Sequence, residues 1–256
     1  RRIRTSEVRI LLSFLISSVY PVLFIDIMRK DHLMINDNGL SAWETNAAFW
    51  DHYMGDESNF FHRELVRPFS EELLDVKAGD LVLDIACGNG NFSKRLAENG
   101  ADVIAFDYSP KMIELAKKRR KGVLDKVHFA VCDATSYNDL LNLKQNRPFD
   151  KSVANMAIMD IADIEPLMKA VYQMLASNGV FVFATAHPCF TYPDEDYITP
   201  RVHKGEAIAG QPALQNYYHR SMEDIFHAAF DAGFVIDGFH EVPDQDLKIP
   251  VIMIVR

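Results

Sequence analysis

The sequence predicts an α/β protein, doubly wound around a mostly parallel sheet that ends in an antiparallel hairpin. Three observations carry this. Leu81 to Asn91, LVLDIACGNGN, is a buried strand that stops in a glycine-rich turn and passes into a helix. From Asp102 to Thr185, apolar β-forming runs alternate with helical stretches, as βαβ crossovers require. The last two apolar runs, Phe234 to Glu241 and Lys248 to Val255, are joined by a link too short for a crossover, so they form a hairpin.

The bulk numbers bound the rest. A chain of 256 residues with 48% hydrophobic content makes one domain with a full core. Its net charge of −9 and pI of about 5.5 repel phosphate backbones, so nucleic acid is not an expected partner. The dense basic run Lys117 to Lys121 falls at a predicted helix end, where cations complement the macrodipole, and reads as solvated. Three cysteines, Cys87, Cys132 and Cys189, show no CxxC spacing. That argues against a disulfide framework or a metal site and places the chain in a reducing compartment, the cytoplasm.

Residues 10 to 25 are sixteen residues without a charge, preceded by Arg1, Arg2, Arg4 and Arg9. A signal peptide needs a small-residue cleavage site, and none follows. A membrane anchor needs a longer span, and Pro21 interrupts this one. The expectation is a native start at Met28 or Met34, or a loosely packed extra helix, with residues 1–40 an extension and residues 41–256 the folded domain.

Within that domain SAWETNAAFWDHYM is a helix, with Ser41 and Glu44 spaced as a capping box. Trp43, Ala47, Trp50 and Met54 share one face. A second helical stretch runs from Asn59 to about Leu74, broken near Pro68. After the glycine turn comes a helix over about Phe92 to Asn99, closed by Gly100. A strand follows over about Asp102 to Phe106. Ser109 and Pro110 start a helix to about Arg120. Strands follow at about Lys126 to Val131 and Asp150 to Asn155. A helix near Glu165 to Ala176 ends at Asn178-Gly179. Val180 to Thr185 is an almost wholly apolar, central strand. From His187 to His219 the pattern is irregular, and Ser221 opens a helix to Ala232, closed by Gly233.

The pattern D-x-A-x-G-x-G from Asp84 to Gly90 resembles the first motif of class I S-adenosylmethionine-dependent methyltransferases, commonly D-x-G-x-G-x-G. Ala86 replaces the first glycine, at the cost of one methyl group of clearance. A dinucleotide fingerprint read from Gly88 needs Gly or Ala at position 93, where the chain has Ser93, so an NAD-type oxidoreductase is the weaker alternative. The terminal hairpin also resembles the methyltransferase sheet, seven strands with the last inserted antiparallel. The HPCF turn, the YYHR segment and the AGFVIDGF ending look like a large group of bacterial small-molecule methyltransferases. The resemblance spans about residues 41–256.

It implies S-adenosylmethionine as cofactor and a small-molecule acceptor. Asp84 and the backbone of Ala86, Cys87, Gly88, Asn89 and Gly90 should hold the methionine end. Asp107, nineteen residues after Gly88, suits the two ribose hydroxyls as a bidentate acceptor. Tyr108 and Met112 should pack near the adenine, Asp133 and Ala134 should bond it, and Asn155 and Met156 should lie near the sulfonium. For Asp133 the alternative is a helix cap. The N-terminal helices should cover the cofactor; core packing explains the same aromatic stripe.

Methyl transfer asks for alignment, desolvation and sometimes proton removal, so no fixed catalytic motif is expected. His187, ending a strand at the sheet's carboxyl edge, is the candidate base, and a capping role in its turn is the competing one. Trp50, Tyr53, Tyr217, Tyr218 and His219 are candidates for the acceptor pocket. The segment from His187 to His219, with Phe190, Tyr192, Tyr197 and the acidic run Asp194 to Asp196, should act as a lid. Asn155-Met156-Ala157-Ile158 is not the signature of base-amine methylation. Pro188-Cys189 lacks the second cysteine that cytosine-C5 RNA enzymes use. A binding module that keeps the pocket without chemistry is the third possibility.

Overall fold

The run LVLDI forms β1 (Leu81–Ile85), and all five residues are buried, as a strand covered on both faces requires. The computed structural model describes residues 39–191, 196–243 and 249–256. The expected N-terminal extension with its starts at Met28 or Met34, Tyr192, Asp194 and most of the hairpin link lie outside the described residues. On either side of β1, β2 (Asp102–Asp107) and β4 (Phe149–Asn155) pair in parallel. β3 (Val127–Val131) adds beyond β2, and β5 (Leu175–Ala186) beyond β4, also in parallel. A separate two-stranded ribbon is formed by β6 (Arg201–Gly205) and β7 (Gln215–His219). The closing hairpin is β8 (Phe239–Pro243) and β9 (Pro250–Val255), with β9 antiparallel to β5. The main sheet thus has seven strands in the order 3-2-1-4-5-9-8.

Strand alternation sends side chains to two cores. Leu81, Leu83 and Ile85 face a cluster completed by Leu167, Met168 and Val171 of α6 (Glu165–Met174) and by Ile225 and Ala229 of α8 (Met222–Ala232). Val82 faces the opposite cluster, built with α2 (Arg67–Leu74), α3 (Asn91–Glu98) and α4 (Pro110–Arg119). The cover is α1 (Leu40–Met54), and α5 (Tyr137–Leu141) follows β3. Among the described residues no helix is long and apolar enough to cross a membrane.

Five sequence expectations are corrected. The Ser41 capping box does not form: α1 begins at Leu40 behind a left-handed Gly39, and Glu44 reaches instead to the Ser109 hydroxyl and the Lys111 N–H (3.0 Å), at the N-terminus of α4. A carboxylate is favoured there by the helix dipole. Pro68 does not break α2; it sits in the first turn of that helix, after a π-helical turn over Phe61–Val66. Asn178-Gly179 does not cap α6, which stops at Met174; the pairing of β4 with β5 jumps from Phe149–Leu175 to Lys151–Val180, and the residues between bulge out of the strand. The segment after His187 is not irregular throughout, since α7 (Pro188–Thr191) and the β6–β7 ribbon lie in it. The hairpin strand β8 also starts at Phe239, not at Phe234.

Candidate functional site

At the carboxyl edge of β1, β2 and β4 lies a cavity of about 450 Å³. Its floor is the glycine turn. Ala86 (φ 51°), Gly88 (φ 56°) and Gly90 (φ 74°) all take the left-handed backbone. The cost of Ala86 is therefore conformational, beyond the lost clearance expected from sequence. A Cβ built on Gly88 meets nothing within 4 Å. One built on Gly90 would lie 2.8 Å from the Phe129 ring. Gly88 thus leaves room for a ligand, whereas Gly90 leaves room for the fold and does not line the cavity.

Two acids shape this floor. Asp107 Oδ2 accepts from the Gly88 N–H (2.9 Å) and Oδ1 from the Ser109 N–H (3.0 Å). Burial pushes its carboxyl above the ordinary range, opposed by these backbone donors. Asp84, 2% exposed, accepts from the Ser93 hydroxyl at 2.5 Å. Burial pushes its carboxyl up to about 7. Ser93, the residue that breaks the dinucleotide fingerprint, is thus the partner of the motif's acid. Asn89 donates to Asp51 Oδ1 and to the Gly55 carbonyl, both at 3.2 Å, tying the turn to α1. Cys87 lines the cavity with a thiol that burial pushes well above its usual range, so it is no thiolate nucleophile.

Around the floor stand the other expected residues. Tyr108, Met112, Asp133 and Ala134 line one wall. Asp133 Oδ1 also accepts from the Thr135 N–H (2.8 Å) and hydroxyl (2.7 Å), so it holds a local turn while facing the cavity. Asn155 accepts from the Ser70 hydroxyl of α2 (2.8 Å). Met156, at the end of β4, has φ 54°, a strained backbone for a side chain of its size. Trp50 and Tyr53 of α1 close the cavity, and Trp50 Nε1 is buried without a hydrogen-bond partner among the described residues.

The ribbon supplies the remaining wall. Tyr217 and Gln215 line it from β7, and His203 and Gly205 lie directly across on β6. The His203 and Tyr217 rings stack at 5.2 Å. Tyr218 and His219 do not line the cavity. Tyr218 lies under the Arg220 guanidinium (5.8 Å), and His219 Nε2 donates to the Tyr197 carbonyl (2.7 Å). His187 does not line it either. Its ring is buried in the turn it opens: Nδ1 accepts from the Cys189 N–H (3.2 Å), and Nε2 lies 3.1 Å from Glu241 Oε1. Strand position put His187 at the correct edge of the sheet, but its side chain serves the turn.

Sequence reasoning missed Asp160. It ends the short helical turn Ile158–Asp160 after β4 and lines the cavity. Its Oδ1 accepts from Gln215 Nε2 (3.2 Å), and burial pushes its carboxyl well above the ordinary range. Two imidazoles that also line the cavity, His62 and His203, are both held down to about 4, first by burial and then by neighbouring cations or imidazoles. Both are neutral at physiological pH. Among the described residues no cluster of His, Cys, Asp and Glu is placed to hold a metal ion.

Residues 76–231 match a protein family described as a methyltransferase domain. A demethylmenaquinone methyltransferase of Paenarthrobacter aurescens (strain TC1) is 30% identical over 118 residues, covering 46% of this chain and 43% of that protein. The 23S rRNA (uracil(1939)-C(5))-methyltransferase RlmD of Shewanella woodyi is 30% identical over 139 residues, covering 44% of this chain and 31% of that protein. The chain therefore spans less than half the length of these curated relatives. Among solved structures, an S-adenosylmethionine dependent methyltransferase from Mesorhizobium loti has the same fold, with a TM-score of 0.57 at 22% identity over 73% of this chain and 94% of that one.

Proposed function

Because the chain belongs to the methyltransferase-domain family it matches over residues 76–231, we propose that it transfers a methyl group from S-adenosylmethionine to a small molecule. The observation that carries this is a single cavity of about 450 Å³ joining the glycine turn to an aromatic end closed by α1 and the ribbon. Small-molecule sites have volumes of about 300–1,000 Å³. The residues present fit the cofactor. The space over Gly88 admits a ligand, and the orphaned Trp50 Nε1 offers a buried donor.

Bound there, S-adenosylmethionine supplies a methyl carbon already activated by positive sulfur. Asp107, held in place by backbone N–H donors that include Gly88 and Ser109, offers its remaining acceptor capacity to the ribose hydroxyls. Asp84 and the backbone of residues 86–89 hold the methionine end, and Tyr108, Met112, Asp133 and Ala134 the adenine. Met156 and Asn155 carry the wall between cofactor and acceptor.

The acceptor sits against Trp50, Tyr53, His203 and Tyr217. These walls suit a molecule with an apolar body and an ionisable O–H or N–H. Asp160 replaces His187 as the proton acceptor: it faces the cavity, and its Oδ2 makes no hydrogen bond to a described residue. A net charge of −9 disfavours RNA as acceptor. The supply of cofactor places the work in the cytoplasm.

Calorimetry with S-adenosylhomocysteine tests the cofactor, and turnover against a panel of hydroxyl and amine metabolites tests the acceptor class. A folded chain that does not bind S-adenosylhomocysteine would sink the proposal. Asp160→Asn should lower turnover at least tenfold, in the range of a lost general base, with cofactor affinity little changed.

A further inference from the structure

The basic run at the end of α4 is not wholly solvated. Arg119, its last helical residue, turns toward α1: Nε and Nη2 meet the two carboxylate oxygens of Asp51 at 2.6 and 2.7 Å, and Nη1 meets Asp56 Oδ1 at 3.0 Å. Arg120, 3% exposed, runs beneath the glycine turn. Its Nε donates to the Asn89 carbonyl (3.1 Å), and Nη2 donates to Asn91 Oδ1. The same guanidinium donates to the carbonyls of Gly55 (3.2 Å) and Asp56 (3.3 Å), just past α1. Asn89 completes the junction by donating to both Asp51 and Gly55.

We propose that Arg119 and Arg120 couple the cover helix to the glycine turn, so that seating α1 and forming the cofactor cradle are one transition. A guanidinium presents several fixed donors in one plane, so it can hold two chain segments in register where a lysine cannot. Arg120 holds the backbone of the turn and the end of α1 at once. Arg119 fixes α1 one turn earlier, beside Trp50 and Tyr53 of the cavity wall. Lifting α1 takes the Gly55 and Asp56 carbonyls away from Arg120 and leaves the Asn89 side-chain amide without its acceptors; moving the turn takes the Asn89 carbonyl away from Arg120. Both arginines are positioning residues, and this inference rests on the cofactor reading above.

The chain carries its own reporter. Its two tryptophans, Trp43 and Trp50, both lie on α1, with ring centroids 5.2 Å apart. Arg119→Gln should leave the fold intact, because that side chain is partly exposed at the surface. S-adenosylhomocysteine affinity should fall about tenfold, within the usual span of coupling between sites. Without ligand, tryptophan emission should shift to the red and quench more readily with acrylamide. Saturating S-adenosylhomocysteine should restore the wild-type spectrum. Arg119→Lys, which keeps one ionic contact to Asp51, should stay within about threefold of wild type. Asp51→Asn should match Arg119→Gln, and the double variant should add little; Asp51→Asn also carries the measurement should Arg119→Gln fold poorly. Folded variants that bind S-adenosylhomocysteine as wild type does, or that show unchanged emission, overturn the coupling alone. A wild-type chain that binds none overturns the cofactor reading and the coupling with it.

Discussion

Gly88 and Gly90 share a turn and a left-handed backbone, yet a side chain at each meets different surroundings. Gly88→Val should abolish S-adenosylhomocysteine binding while circular dichroism stays native, because its side chain enters the cavity. Gly90→Ala should instead lower stability by about 1–3 kcal/mol through overpacking against Phe129, read as a lower melting temperature. Asp84 gives a pH prediction. An ordinary aspartate titrates near 3.8, and this one is pushed up to about 7 in the fold. Its folded-state value is raised, so its contribution to stability is complete below about pH 4 and is lost as pH rises through about 7. Asp84→Asn should remove that loss, and its melting temperature without ligand should gain on wild type across the interval. Spacing put Asp107 at a strand end beside the glycine turn, but not its hydrogen bond from the Gly88 N–H, which the pairing of β1 with β2 brings about. Asp160 was not legible, because its setting is made by Gln215 and Tyr217, far along the chain. His187 was misassigned because a strand end fixes a place in the sheet and not the direction of a side chain.

Among the elements, the β6–β7 ribbon is the one the hydropathy pattern hid. RVHKG and QNYYH contain one aliphatic residue, Val202, and the ribbon stands apart from the main sheet. Its alternation runs through aromatic and polar residues, with His203 and Tyr217 on one face, so no apolar period of two appears. Replacing residues 206–214 with a short glycine-containing turn should leave S-adenosylhomocysteine affinity within about tenfold and remove turnover of any acceptor found. The capping box at Ser41 failed for a related reason. Local spacing offered Glu44 a place in its own helix, but α4 offers it a serine hydroxyl, a backbone N–H and a helix dipole. The helix at Ser221 starts where the sequence places it, and both hydrogen bonds of a capping box form there, with no distant hydrogen-bond partner for Asp224 among the described residues. The basic run misled in the same way as Ser41: its partners on α1 are distant in sequence.

For the whole molecule, the parallel sheet and its closing antiparallel hairpin were legible from alternation and from the short final link, whereas the strand order comes from the structure. The cavity lies between the C-terminal edge of that sheet, α1 and the ribbon, and its lining begins at Trp43. A chain starting at Met34 should therefore fold and bind S-adenosylhomocysteine with affinity like that of the full chain; loss of folding would assign the upstream residues to the core. The placing of β9 between β5 and β8 has a consequence for biosynthesis. Ile252, Met253, Ile254 and Val255 are fully buried, and they emerge from the ribosome after the ribbon, α8 and β8. Until then Phe183, Ala184, Thr185 and Ala186 of β5 lack the backbone partners that β9 provides. The nascent chain thus carries an open, apolar strand edge throughout the synthesis of those elements, the kind of surface that recruits chaperones or another unfinished chain. Release of the chain before Pro250 should yield aggregate in place of a slightly shortened enzyme.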